Sequence, residues 1–136
     1  MKFPNWLRVF GDQSYRDTNC PKEEAEQITF FNWLRQTYPD TLGAIAVHVK
    51  NEGKRTKLQI ENDKMNGLTA GAPDVIVPGI PSLLIEIKRK DHTKSRWQPR
   101  QLEYLEAAHK QGAFVCVALG HEAAKEAVRC YLQYIS

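Results

Sequence analysis

The stretch that decides the fold is residues 73–88, PDVIVPGIPSLLIEIK. It opens with a short apolar run, Asp74 to Pro78, which is typical of a β-strand. Gly79-Ile-Pro-Ser82 follows and has turn composition, and Leu83 to Lys88 reads as a returning strand. The sequence therefore predicts a β-hairpin at the centre of the domain.

The second strand of this hairpin divides its side chains between the two faces of a sheet. Side chains alternate along a strand, so Leu83, Ile85 and Ile87 share one face, which we expect to be the core face. Glu86 and Lys88 share the opposite face with Leu84. Asp74 begins the partner strand, so we expect the hairpin to bring its carboxylate beside that of Glu86.

Helices and further strands are predicted on both sides of the hairpin. Pro21 and the acids that follow predict a helix start, and that helix should end before Pro39. Residues 43–50, GAIAVHVK, read as a short strand, and residues 51–66 as a loop or short helix. A second helix is expected from Gln98 to a cap at Gly112. A buried strand (114–119) and a last helix (121–132) complete the chain.

The predicted order is α-β-β-β-α-β-α, an α/β fold with a small mixed sheet flanked by helices. Residues 1–20 look irregular, and we interpret them as an N-terminal arm that packs Trp6 and Leu7 on the domain. A partner-binding role for the arm is the alternative. The remaining residues, 21–136, are sufficient for a single domain.

Composition narrows the function only slightly. The chain has a formal net charge of +3, which allows a polyanionic partner without requiring one. The longest apolar runs are too short to span a bilayer, and the first ten residues lack the apolar core of a signal peptide. Cys20, Cys116 and Cys130 show no CxxC spacing, so a disulfide framework is not expected. These features favour a protein of a reducing cytoplasm.

Two converging carboxylates are suited to a hard divalent ion such as Mg²⁺, with Mn²⁺ as a substitute. Asp74 and Glu86 are the expected ligands, and the backbone carbonyl of Ile87 could add another oxygen. Lys88 would then lie beside the attacking water and the scissile phosphate. It could orient that water and neutralise transition-state charge, or act as general base. The alternative is a solvated Glu-Lys pair on an exposed strand, which is common by chance.

Pro73-Asp74 followed by Glu86-Ile87-Lys88 resembles the PD-(D/E)xK motif of restriction-endonuclease-like nucleases, whose core is α-β-β-β-α-β. More widely, residues 22 to 125 resemble a stand-alone VRR-NUC domain. The motifs that carry this second resemblance are Glu23-xxx-Gln27 with Phe31-Asn-Trp33, Gly67-xxx-Gly71-Ala-Pro73-Asp74, Ile85 to Arg89, and Gln101 with Tyr104-Leu105 and Gly112. Residues 51–53, Asn-Glu-Gly, depart from the Asn-Gly-rich form expected there, which leaves the role of that loop open.

The resemblance implies a metal-dependent phosphodiesterase with two further site residues. An acid on the first helix should lie near the metal, and the matching position is Glu23, with Glu26 as its rival one turn on. A glutamine on the second helix should lie near the catalytic lysine, and the matching residue is Gln101. For each of these residues, an exposed helix position without a function is the alternative reading.

Basic residues flank the proposed site in the sequence on both sides, as a phosphate backbone would require. The expected DNA contacts come from two groups: Lys50, Lys54, Arg55 and Lys57, and then Arg89, Lys90 and Arg96. His48 is interpreted as a structural or DNA-facing residue rather than a ligand.

Three functions remain open at this stage. Stand-alone members of the family, found in bacteria and phages, imply a Holliday-junction endonuclease that works as a homodimer. Its twofold symmetry would match that of a four-way junction. A monomeric nuclease for flaps, ends or single strands is the second possibility. A DNA-binding module without activity is the third, and the intact Asp74, Glu86 and Lys88 speak against it.

Overall fold

The computed structural model describes residues 1–49, 56–67 and 69–136. Within these ranges the chain forms five strands and five α-helices, with a short 3-10 turn at His92–Lys94. The strands are β1 (Arg8–Phe10), β2 (Val47–His48), β3 (Val75–Val77), β4 (Leu83–Lys88) and β5 (Phe114–Leu119). The helices are α1 (Glu23–Thr37), α2 (Leu42–Ile45), α3 (Lys57–Met65), α4 (Gln101–Lys110) and α5 (His121–Ile135).

The strands form one mixed sheet in the order β1-β5-β4-β3-β2. The predicted hairpin is confirmed: β3 and β4 are antiparallel, with Val75 opposite Ile85 and Val77 opposite Leu83. Strand β5 lies parallel to β4 on its other side, and α4 makes the crossover between them. Extending the hairpin register by one residue sets Asp74 opposite Glu86, so both carboxylates are on the same face of the sheet.

Both faces of the sheet are covered. Ile85 and Ile87 pack with α1 and α5 in the larger core cluster, as the alternation of β4 predicts. On the opposite face Leu84 packs with Leu105 of α4 and with Leu7 of the N-terminal arm. Because this second face is also apolar over most of its area, the charged residues at the end of β4 are enclosed in protein rather than exposed to solvent.

The N-terminal arm is more ordered than predicted. Residues Arg8–Phe10 add an edge strand that runs parallel to β5, with Arg8 opposite Cys116. A three-residue strand is too short to show a period-2 pattern, so sequence analysis missed it. The expected packing of the arm is present, since Leu7 is buried and Trp6 lies against the cluster on the α4 face.

The strand predicted for residues 43–50 is largely wrong. Its first part forms the short helix α2, and only Val47–His48 pair with β3. A Cβ at Gly43 would lie 2.6 Å from the carbonyl oxygen of Tyr38, so this turn packs directly against the end of α1. That close tertiary approach overrides the local β pattern. Lys50, the last residue of the predicted strand, lies outside the described residues.

The predicted ends of α1 and α4 agree with the structure, whereas the last helix, α5, extends to Ile135 rather than to residue 132. Helix α1 ends at Thr37, before Pro39, and α4 is followed by Gly112 with a φ of 93°. However, α4 begins at Gln101 rather than Gln98, because Arg100 adopts a φ of 76°. A Cβ at Gly71 would lie 2.3 Å from the Arg100 carbonyl oxygen, so the loop before Asp74 packs against the start of this helix. Among the described helices, none has the length and apolar character needed to cross a membrane.

Candidate active site

Asp74 and Glu86 form a buried acidic pair at one end of the hairpin. Asp74 precedes β3 directly, and its Oδ2 accepts a hydrogen bond of 2.8 Å from the backbone amide of Ile87. This bond fixes the Asp74 carboxylate against β4, beside the neighbouring Glu86. The two side chains are only 9% and 2% exposed, so the pair is held away from bulk water.

The buried position of this pair disfavours the ionisation of both carboxylates at once. Burial, followed by the nearby charge of Asp74, raises the pKa of Glu86 well above its ordinary value. Burial also raises the pKa of Asp74. The buried Oε2 of Glu86 accepts no hydrogen bond from any donor group of the described residues. Glu86 and Asp74 can share a hydrogen bond only when one of them keeps its proton, so this oxygen is a vacant acceptor in the fully ionised pair.

Lys88 lies beside this pair and is 1% exposed. The enclosed space that Asp74, Glu86 and Lys88 share is called the pocket below. Its Nζ donates to the carbonyl oxygen of Arg96 at 2.9 Å and to Oε1 of Gln101 at 3.0 Å. The ammonium also lies 3.4 Å from Glu23 Oε1 and 3.8 Å from Glu86 Oε1. A buried ammonium requires such partners, and here they hold it in one position next to the acidic pair. The alternative of a solvated Glu-Lys pair on an exposed strand is therefore wrong.

Gln101 connects the acid and the lysine. Its Nε2 donates to Glu86 Oε1 at 3.1 Å, while its Oε1 accepts from Lys88 Nζ and from the backbone amide of Gln98. The side chain is 6% exposed, so the reading of Gln101 as an exposed helix residue is wrong. Gln101 is the first residue of α4. The turn at Arg100 places it where its side chain reaches the sheet.

The two candidate acids of α1 have different surroundings. Glu23 is partly exposed and pairs with Lys88, and burial raises its pKa while the Lys88 charge opposes that shift. Glu26 is buried, and its Oε2 accepts from the backbone amide and the ring Nδ1 of His121, at the start of α5. Glu23 therefore faces the pocket, whereas Glu26 joins two helices. Its partner His121 was not identified from the sequence, because the two lie 95 positions apart.

The acidic pair fits a divalent cation with few protein ligands. Within residues 1–49, 56–67 and 69–136, no three carboxylate, histidine or cysteine side chains converge closely enough to bind an ion unaided. Mg²⁺ does not need such a cage, since it is bound by one or two carboxylates together with waters and substrate phosphate. Such an ion would bind to Oε2 of Glu86, which lies beside Asp74 and has no hydrogen-bond donor among the described residues.

The predicted DNA-binding residues differ in their surroundings. Lys57 and Arg96 are exposed. The ammonium of Lys90 lies 4.3 Å from the centroid of the Tyr15 ring. The guanidinium of Arg89 donates to the carbonyl oxygens of Cys20 and Pro21 and so holds the segment before α1. Lys50, Lys54 and Arg55 lie outside the described residues.

Two groups near the site were not assigned to it from the sequence. The backbone carbonyl of Arg96 accepts from Lys88, a role that depends on the path of the chain and leaves no residue signal. The ring Nδ1 of His48 lies 3.1 Å from the carbonyl oxygen of Asp74, and the ring packs edge-on against Phe31. His48 is exposed at the edge strand, which is compatible with the structural or DNA-facing role predicted for it.

The mixed five-stranded sheet, flanked by helices and carrying two acids and a lysine on its central hairpin, defines the restriction-endonuclease-like class. Comparisons with family models and with curated proteins found no match. Among solved structures, the chain is similar to one described as a VRR_NUC domain protein. The two share 25% sequence identity with a TM-score of 0.68, over 85% of this chain and 91% of the other. The resemblance to a VRR-NUC domain is thus confirmed, and a domain of this kind indicates a nuclease.

Proposed function

We propose that this protein is a Mg²⁺-dependent endodeoxyribonuclease that hydrolyses phosphodiester bonds, with Mn²⁺ able to replace Mg²⁺. The observation that carries the proposal is the buried pair of Asp74 and Glu86, with a vacant carboxylate oxygen beside the ammonium of Lys88. Burying two carboxylates together is costly unless a positive charge compensates them. The Lys88 ammonium balances one of the two charges, and a metal ion that also binds the substrate phosphate would balance the other.

The residues that would hold the ion are Asp74 and Glu86, together with the backbone carbonyl of Ile87. The carboxylate of Glu23, which pairs with Lys88 in this structure, would join them by turning towards the ion. When bound, such an ion supplies charge stabilisation at the phosphate and lowers the pKa of a water molecule. Glu23 is the first-helix acid that we assign to this role rather than Glu26. Its carboxylate already faces Lys88, whereas that of Glu26 is engaged by His121.

Lys88 would supply a fixed positive charge for the transition state and orient the attacking water. Its Nζ has two neutral acceptors, the Arg96 carbonyl and Gln101 Oε1, which position it without cancelling its charge. Glu23 is the more exposed of its two acidic neighbours and can turn from the ammonium towards an ion. Gln101 would keep Glu86 and Lys88 at a constant separation throughout the reaction.

The substrate that we propose is branched DNA, in particular a Holliday junction cut by a homodimer. One chain carries one site and can cut one strand, whereas resolving a junction requires two symmetric cuts. The DNA backbone would be bound by Lys50, Lys54, Arg55, Lys57, Arg89, Lys90 and Arg96. We place the activity in the cytoplasm of a bacterial or phage-infected cell, in agreement with the three free cysteines.

The test is cleavage of four labelled DNAs, namely a four-way junction, a flap, a linear duplex and a single strand. Each is incubated with Mg²⁺, with Mn²⁺ and with a chelator, while sedimentation measures the mass of the protein. Paired junction cuts by a species of two chains would support the whole proposal. Flap, end or single-strand cleavage by a single chain would overturn the junction-specific part. DNA binding without cleavage of any substrate would overturn the enzymatic proposal.

A further inference from the structure

Trp97 lies against the ammonium of Lys88. The centroid of its ring is 5.5 Å from Lys88 Nζ, within the range in which an aromatic face attracts a cation. The preceding residue, Arg96, supplies the carbonyl oxygen that accepts from the same nitrogen. Two consecutive residues therefore contact the lysine, one through its backbone and the other through its ring.

The N-terminal arm, residues 1–20, holds this tryptophan in turn. Trp97 Nε1 donates a hydrogen bond of 2.9 Å to the backbone carbonyl of Lys2. The ring of Phe3 meets the indole edge-on, with centroids 6.4 Å apart. Further along the arm, the carbonyl of Gln13 lies 3.0 Å from Nε2 of His92, which is buried in the turn between β4 and Trp97. The arm thus fixes the segment from His92 to Trp97 at two separate points.

We propose that Trp97, held by the N-terminal arm, is a positioning residue that keeps the Lys88 ammonium directed at the acidic pair. The inference rests on the proposed function, because it concerns the lysine of that site. It gives the arm a role in the reaction in addition to packing. It also differs from a base-stacking role for Trp97, because the indole N–H is bonded to the arm and the ring lies beside an internal cation.

The strongest test is a double-mutant cycle between Trp97 and Lys88. Trp97→Leu removes the ring face and should lower kcat about tenfold, with KM for DNA unchanged. Trp97→Phe keeps a ring face and should recover most of that loss. If the tryptophan acts through the lysine, Trp97→Leu should have no further effect on kcat in the Lys88→Ala background. If Trp97→Leu lowers kcat about tenfold again in the Lys88→Ala background, the proposal is wrong.

Trp6→Leu is the matched control, because it removes a tryptophan of the N-terminal arm itself. Trp6 stacks on His109, with ring centroids 5.6 Å apart. The substitution removes a side chain of the same size and should leave kcat unchanged. If Trp97→Leu affects only thermal stability, as this control is expected to do, Trp97 is a packing residue and the proposal is wrong. If Trp97→Leu raises KM and leaves kcat unchanged, the ring contacts DNA and the proposal is equally wrong.

A readout that does not need activity separates this inference from the proposed function. The ε-methylene NMR signal of Lys88, assigned by its loss in Lys88→Ala, should shift in Trp97→Leu because the ring current disappears. It should not shift in Trp6→Leu. If the wild-type protein cuts no DNA but the signal shifts, the positioning contact stands and the proposed reaction fails. An unchanged signal in Trp97→Leu would overturn the inference whatever the activity.

Discussion

The pocket around Lys88 and helix α3 both carry charged residues, but their surroundings are opposite. In the pocket, Asp74, Glu86 and Lys88 are each less than 10% exposed and face one another. Helix α3, Lys57–Met65, has no buried residue, and even Leu58 and Met65 are 66% and 85% exposed. The pocket depends on tertiary contacts between α1, the β3–β4 hairpin and α4. Helix α3 begins with a local capping box between Thr56 and Gln59.

This difference identifies where substitutions should have large effects. Burying charged groups lowers the stability of the folded state, so a buried cluster of them is a candidate functional site. Solvated charges of a surface helix carry no such cost, and each contributes little alone. We therefore expect pocket substitutions to change the reaction by orders of magnitude. Substitutions on α3 should change DNA affinity gradually.

Asp74→Asn should have the largest effect of any single substitution on cleavage. Asparagine keeps an oxygen that can accept from the Ile87 amide, so the fold should persist, but it loses the charge that would hold the ion. We expect cleavage in Mg²⁺ to fall by about a thousandfold, with DNA binding retained. Asp40→Asn, at an exposed position after α1, is the control. Near wild-type cleavage by Asp74→Asn would show that the acidic pair is not the metal site.

Lys88→Ala should lower the cleavage rate about a hundredfold or more, which is the usual cost of losing one positioned catalytic group. The affinity for Mg²⁺ should change little, because both carboxylates remain. Lys110→Ala serves as the control, since that ammonium is exposed and pairs with Glu106 one turn away on the same helix. A loss of only a few-fold in single-turnover rates would remove Lys88 from the reaction.

Glu86→Gln should stabilise the metal-free protein at neutral pH, while its loss of cleavage should not exceed that of Asp74→Asn. Since burial raises the folded-state pKa of Glu86 above 4.5, the folded protein holds a proton that the unfolded chain releases. The free energy of unfolding should therefore fall as the pH rises from about that value through the raised pKa. Glutamine removes the contribution of Glu86 to this dependence, and we expect a gain of about 1 kcal/mol at pH 7.

The matching measurement is thermal unfolding between pH 4 and pH 8, with and without Mg²⁺. The ion should raise the midpoint of the wild-type protein and leave that of Glu86→Gln unchanged. If Mg²⁺ stabilised both proteins equally, the ion would bind elsewhere on the chain.

The smallest effect on the reaction should come from the basic residues at and before α3. Replacing Lys54, Arg55 and Lys57 together by alanine should reduce the slope of log K against log salt by about 0.9 for each lost phosphate contact. Stability and single-turnover cleavage at saturating protein should stay close to wild type, because Lys57 is exposed. Alanine at Lys110 is again a suitable control. An unchanged slope would show that this segment does not contact the DNA backbone.

Sequence analysis predicted correctly those features that depend on neighbours along the chain. The alternation of Leu83 to Lys88 predicted which residues face the core, and Pro39 and Gly112 marked helix ends. The hairpin prediction also implied that Asp74 and Glu86 would meet, because a short turn fixes the register of its two strands. The identity of the acidic pair and the lysine could therefore be predicted without a structure.

The remaining features depend on contacts between distant parts of the chain, which local patterns do not encode. Strand β1 exists because β5 offers it an edge, and Gly43 allows a helical turn to pack on α1 where a strand was expected. The sequence pointed to Glu23 through the family resemblance but left Glu26, one turn on along the same helix, as its rival. Only the tertiary structure distinguished them, because the first meets Lys88 and the second meets His121 across the fold. Side-chain type and spacing are local properties, whereas partners and burial are set when the elements pack together.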